Sequence, residues 1–164
     1  MSKIMSAKGG SASGGKKIII IIVIVIATLG LGVILFVQSE KSQPVQGDVI
    51  SQNGIHWHAK LAMSIKGQQQ SIPKDIGIGV KHEPFHTHDD TGELHLEFQG
   101  LVTKQDTELN KFFKNWNKIF SSNCISEYCN GAEGTLKFTV NGQENKEFEN
   151  YQVKDGDKIE IRYE

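Results

Sequence analysis

The stretch Leu136-Lys-Phe-Thr-Val-Asn-Gly-Gln143 decides the fold. Leu136, Phe138 and Val140 alternate with Lys137 and Thr139, the two-residue period of a strand that buries one face. Asn141-Gly142 follows directly, and both residues accept the positive φ that a tight hairpin requires. Leu61-Ala-Met-Ser-Ile-Lys-Gly-Gln68 matches this stretch class for class at most positions, as a duplicated ββ unit would. Working outward, residues 60–65 alternate around Leu61, Met63 and Ile65, turn at Lys66-Gly67 and return through 69–72. Leu94, Leu96 and Phe98 alternate against His95 and Glu97. Residues 148–153 and 158–163 read as two more strands joined by Asp155-Gly156-Asp157.

One helix stands among these strands. Leu109, Phe112, Phe113, Trp116, Ile119 and Phe120 recur at helical spacing, with Lys111, Lys114, Asn115 and Lys118 opposite, which predicts a helix over 109–120 capped by Asp106 or Thr107. Its Phe/Trp stripe is the face that packs on a sheet. The expected fold class is α+β: a mostly antiparallel or mixed sheet of about six strands on one amphipathic helix.

Ahead of that domain the chain is of another kind. Residues 18–37 are 20 consecutive uncharged residues, mostly Ile, Val and Leu. At about 1.5 Å per residue a helix of that length spans roughly 30 Å, the thickness of a bilayer's hydrocarbon core. The run is longer than the apolar part of a cleaved signal peptide, and no small-x-small pattern follows it. It is therefore read as a single transmembrane helix. The preceding residues 1–17 carry Lys3, Lys8, Lys16 and Lys17 and no acid, whereas 14 basic and 19 acidic side chains follow the run. Lysines in a short flank stay cytoplasmic, so residues 1–17 form a flexible cytoplasmic tail and the C-terminal domain lies outside the cell membrane. Residues 38–54, polar and holding Pro44 and Gly47, read as a linker to a domain at 55–164. An acidic outer domain has no basic face for nucleic acid, and no P-loop or dinucleotide glycine pattern calls for a nucleotide cofactor.

The histidines carry the chemistry. The six are His56, His58, His82, His86, His88 and His95, all within one stretch of the sequence. Residues two apart on a strand share a face, so His56-Trp-His58 and His86-Thr-His88 can each aim two imidazoles at one point. Imidazole nitrogens suit Cu(II) and Zn(II), and Asp89, Asp90, Glu93 and Glu97 stand near enough in sequence to orient ring N–H groups. Asp89 to Gly92 can turn the chain so that His95 returns toward His86 and His88, with His56 and His58 completing the sphere and His82 beyond Pro84. Neither His86 nor His88 belongs to the apolar pattern, so both are expected to be dispensable for folding. The competing reading makes these rings ordinary polar residues.

Two catalytic strings fail on inspection. His82-Glu83-Pro84-Phe85-His86 has the letters of a zinc-protease motif, but that motif works on a helix and Pro84 breaks one. His86-Thr-His88-Asp-Asp90-Thr91 resembles the ligand string of metallo-β-lactamase-type hydrolases, with Thr91 in place of the last histidine and a domain too small for that fold. Cys124 and Cys129, the only cysteines, suit a local disulfide outside a membrane; a thiolate pair for Cu(I) or redox exchange, or a lone reactive thiol, are the alternatives.

His56-Trp-His58-Ala-Lys-Leu, Ile72-Pro-Lys-Asp-Ile-Gly77, His86-Thr-His88-Asp-Asp-Thr-Gly92-Glu-Leu-His95-Leu-Glu97 and the Leu109 to Trp116 helix resemble a family of small membrane-anchored proteins of archaea and bacteria. The resemblance covers roughly 54–164 and implies an architecture, not a reaction. Separately, Val153-Lys-Asp-Gly-Asp-Lys-Ile-Glu-Ile161 is similar to the closing strand of β-grasp domains, a likeness of fold alone. The functional expectation is a membrane-anchored, extracytoplasmic domain that binds Cu(II) or Zn(II) without catalysis. Its rival is an interaction module, an accessory subunit of a membrane complex with structural histidines. A small metal-dependent hydrolase or a thiol-disulfide protein is the third class.

Overall fold

A computed structural model of the chain describes residues 46–164 and the isolated position Ile26. The cytoplasmic tail expected at 1–17 and nearly all of the apolar run at 18–37 lie outside the described residues, as does the first part of the linker. Among the described residues, no helix is long and apolar enough to cross a membrane.

Residues 46–164 form an α+β unit. Its strands are β1 (Val49–Ser51), β2 (Ile55–Ile65), β3 (Gln68–Gln70), β4 (Phe85–His86), β5 (Glu93–Phe98), β6 (Val102–Thr103), β7 (Cys124–Ile125), β8 (Tyr128–Cys129), β9 (Leu136–Val140), β10 (Gln143–Glu144) and β11 (Lys158–Tyr163). Its one α-helix, α1, is Leu109–Asn115. The main sheet has the order β10-β9-β11-β2-β5-β4, with β3 also paired to β2. All its pairings are antiparallel except β11 with β2, so the sheet is mixed and the last strand lies at its centre. β1 pairs with β6, inside the segment read as a linker.

The two echoing hairpins both form. Lys66-Gly67 has φ of 49° and 78° and Asn141-Gly142 has 53° and 80°, the double positive φ of a two-residue hairpin turn. Leucine, isoleucine and aromatic residues of the alternating strands then share one face. Ala59, Leu61 and Met63 of β2, Leu94 and Leu96 of β5, Phe138 of β9 and Ile159 and Ile161 of β11 are all buried. α1 lies on this face through Leu109, Phe112 and Phe113, each fully buried. Each buried phenylalanine stabilises by about 1.5–3 kcal/mol, and a helix of 7 residues depends on that packing, since isolated helices this short do not persist.

Three expectations are corrected. The helix ends at Asn115 instead of Phe120, because Asn117 adopts a left-handed φ of 56°. The Asn117 N–H donates to the Lys114 carbonyl and the Lys118 N–H to that of Phe113, the paired bonds of a Schellman cap. Ile119 is consequently exposed while Phe120 returns to the core, its ring 4.6 Å from that of Phe113. Asp106 does not cap α1; it accepts from the Thr103 N–H and hydroxyl and closes the short 3-10 turn Lys104–Thr107. Residues 148–153 are not a strand either. Phe148–Asn150 is a 3-10 turn, with Phe148 at a φ of 46°, and only Gln152 makes a bridge, to Glu108. The aromatic alternation there reflects Phe148 and Tyr151 packing on Phe138, at 5.5 and 5.7 Å, without a ladder of pairing.

Candidate metal centre

The face of the sheet opposite the core gathers the histidines. In β2 the buried side chains Ala59 and Leu61 point one way, so His56, His58 and Lys60 point the other. β5 alternates likewise, which puts Glu93, His95 and Glu97 on that second face. The register sets His56 opposite Glu97, His58 opposite His95 and Lys60 opposite Glu93. β4 extends the row, with His86 opposite His95 on its other side. His58, His95 and His86 therefore stand side by side across three strands.

The segment holding His86 and His88 is fixed by its neighbours. The buried Thr87 hydroxyl donates to the Pro73 carbonyl and accepts from the Ile76 N–H, at 2.9 and 3.1 Å. Asn115 of α1 donates to the Phe85 carbonyl. Gly77, at a φ of 76°, passes so close that a Cβ there would sit 2.9 Å from the Phe85 carbonyl oxygen. On the far side of the turn, Gly92 has a φ of 79° and a Cβ there would meet the Leu61 carbonyl oxygen at 2.4 Å. These close approaches, each suited to glycine, pack the loop at Gly77 against β4 and the start of β5 against β2; the pairing of β4 with β5 joins their histidines.

His86 is the deepest of the rings and is fully buried. It packs inside the domain although it stands outside the apolar pattern of the sequence. Its Nδ1 donates to the Glu83 carbonyl at 3.0 Å, a bond that a carbonyl can only accept. With the proton on Nδ1, the lone pair of Nε2 points outward, 3.1 Å from His88 Nε2. A backbone carbonyl on the far ring nitrogen is how metal-binding imidazoles are ordinarily oriented. Glu97, expected only to orient an imidazole, joins the donors themselves. Its Oε1 lies 3.9 Å from His86 Nε2, 3.9 Å from His88 Nε2 and 3.7 Å from His95 Nδ1. The signal was present in the sequence, since His95 and Glu97 are two apart on one strand.

The donors of His86, His88, His95 and Glu97 all lie within 4.8 Å of one another. Around a tetrahedral ion with bonds of about 2.0–2.1 Å, donors stand about 3.3 Å apart, so small side-chain rotations bring this set onto one ion. His95 Nδ1 is buried with no hydrogen-bond partner. Buried polar atoms are almost always satisfied, and this nitrogen stands among three further groups that could act with it as ligands. His56 and His58 do not complete this sphere; they form a second set with His95. His82 belongs to neither set, and its ring packs edge-on against His86 at 4.3 Å. Asp89 is spent locally, accepting from the Thr91 N–H and hydroxyl. Residues 82–86 are not helical: His82 bridges Ile78 and Phe85 opens β4, so the protease string is no catalytic motif here.

Cys124 and Cys129 face each other across β7 and β8 and are joined by a disulfide, which sets aside the thiolate pair and the lone thiol in this structure. The chain matches no family model, and no curated protein or solved structure shows significant similarity to it.

Burial lowers the pKa of His86, reinforced by the neighbouring His82. Burial also lowers that of His95, reinforced by His88 and His58. Both therefore bind fewer protons in the folded protein than in the unfolded chain, whose histidines titrate near 6.5. Their contribution to stability is fully present above that value and is lost as pH falls from it through the lower folded-state values, because the unfolded state takes up more protons. With chelator present, the urea midpoint should be lower at pH 5.5 than at pH 7.5. An equal or higher midpoint at pH 5.5 would contradict neutral, buried imidazoles.

Proposed function

We propose that the chain is a membrane-anchored, extracytoplasmic protein that holds Zn(II) or Cu(II) on His86, His88, His95 and Glu97 without catalysis. The observation that carries this reading is convergence: three imidazole nitrogens and one carboxylate meet, and the His95 nitrogen among them is buried and unpartnered. Three nitrogens and an oxygen suit either ion. Four protein donors fill the tetrahedral sphere zinc prefers and leave no position for a reactive water, which separates holding sites from catalytic ones.

Anchoring rests on the 20 uncharged residues at 18–37 and the lysines that precede them. The Cys124–Cys129 disulfide supports the outside location, since such bonds persist in oxidising compartments. A protease added to intact cells should digest the domain, and its protection until lysis would reverse the orientation.

Imidazoles must be neutral to coordinate, and burial keeps His86 and His95 neutral below their usual range. Binding should accordingly persist to a pH lower than about 6.5. Metal held by the fold raises stability by about 2.7 kcal/mol at 100 times its dissociation constant, read as a higher melting temperature of the purified full chain. His88 is half-exposed, so His88→Ala tests the site without opening a core cavity. That variant should keep its metal-free melting temperature and lose most of the metal-induced rise. No rise with either ion in the unmodified protein, or an equal rise in H88A, would leave the histidines structural and favour the interaction module.

A further inference from the structure

Four imidazoles face one carboxylate oxygen. Glu97 Oε1 lies 3.7 Å from His56 Nε2 and from His95 Nδ1, and 3.9 Å from His86 Nε2 and from His88 Nε2. The sheet sets this up. His56 of β2 stands opposite Glu97 of β5, while β4 and the residues after it bring His86 and His88 from the other side. Access falls steeply across the group: the His56 side chain is 65% exposed, that of His88 48%, that of His95 15%, and that of His86 is fully buried. His56 is not one of the inner donors His86, His88, His95 and Glu97; its own set is with His58 and His95, so the two sets adjoin. A cleft of about 430 Å³, lined by Asn53, Ile55, His56, Glu97 and Gln99, opens beside the carboxylate. The inner rings cannot swing out to meet an ion, since His86 is tied to the Glu83 carbonyl and the backbone beside it is tied through Thr87.

Resting on the inner set as a metal site, we propose that His56 is the entry and exit ligand of that site, so that the domain exchanges its ion instead of locking it away. A hydrated ion arriving from solvent meets His56 and Glu97 first. A bond from the ion to water breaks, and the lone pair of His56 Nε2 forms a bond in its place. The Glu97 carboxylate displaces another water. Glu97 then keeps its bond while nitrogens of His88, His95 and His86 replace His56, and the remaining waters depart. Each exchange replaces one lone pair on the ion by another, and the oxidation state does not change. Release retraces the same path, because uptake and release share their transition states.

Zinc(II) exchange in the purified full chain, stripped of metal beforehand, tests this, with copper(II) in a parallel series. Uptake is read by rapid mixing against a chromophoric chelator, and affinity by equilibrium competition. Release is read by mixing the loaded protein with chelator at concentrations where the rate no longer rises. In H56A the affinity should be unchanged while uptake and release slow by the same factor, about tenfold, since an interaction made only in the transition state alters rates and not the equilibrium. If that variant does not fold, H56Q gives the same comparison. His82 lines a second cleft that reaches Glu97 beside His86, so H82A tests the rival route and should exchange at the unmodified rate. Equal rates in H56A and the unmodified protein, or slowing in H82A alone, would overturn the entry route while leaving the site intact. Weaker affinity in H56A through faster release would make His56 a resident ligand and overturn the route likewise. Two ions held at once would make the outer set a site of its own, with the same consequence. No binding of either ion would overturn the site and its entry route together.

Discussion

The pairing of β2 with β5 sets everything else in the domain. Six residue pairs, from Ile55 with Phe98 to Lys60 with Glu93, fix which side chains stand opposite one another. A slip of one residue would send Ala59, Leu61, Leu94 and Leu96 to the solvent face and the imidazoles into the core. Burial of those apolar side chains therefore fixes the histidine register. β11 reinforces it from the other edge of β2, running parallel from Lys158 with Lys60 to Tyr163 with Ile65. The Asp155 carboxylate accepts from the His58 N–H and the Gly156 N–H donates to the His58 carbonyl, so the backbone of His58 is held at the point where the histidine row begins.

Opposing demands meet at His86. Burying a polar ring is costly unless its nitrogens are satisfied. The Glu83 carbonyl satisfies one nitrogen of His86, and the other faces only His88 and Glu97. His95 is similar, buried on its Nδ1 side and without a partner there. His86 Nε2 is partnered by His88, so the unpartnered His95 nitrogen carries the cost, and both nitrogens are placed where they could act as donors to an ion. The loop from Pro73 to Gly77 secures the arrangement through Thr87, which explains why a threonine lies buried between two histidines.

Much of this was legible in the sequence, for physical reasons that differ by element. Two-residue alternation located β2, β5, β9 and β11, and Lys66-Gly67 and Asn141-Gly142 located the turns, because those signals are local. The helix was overextended because an apolar stripe continues through Phe120 while the stop is a single asparagine accepting a left-handed conformation, a choice that side-chain periodicity does not register. Residues 148–153 misled for the opposite reason: their aromatic residues pack on Phe138 without any strand to pair with. The H-x-H spacing revealed that imidazoles would share faces. It did not reveal that β5 would lie between β4 and β2, since strand order depends on contacts far apart in sequence. That order brings Glu97 into the donor set and separates His56 and His58 from His86 and His88.

The central claim is that the fold, through this register, assembles an ion-binding point from side chains on two strands and the loop beyond them. Anomalous diffraction from crystals of the zinc-loaded protein, recorded on both sides of the zinc absorption edge, tests it most directly. A peak is expected about 2.0–2.2 Å from His86 Nε2, His88 Nε2, His95 Nδ1 and a Glu97 oxygen. A zinc-saturated crystal with no peak between those four side chains, or with peaks only at other surface groups, would contradict it.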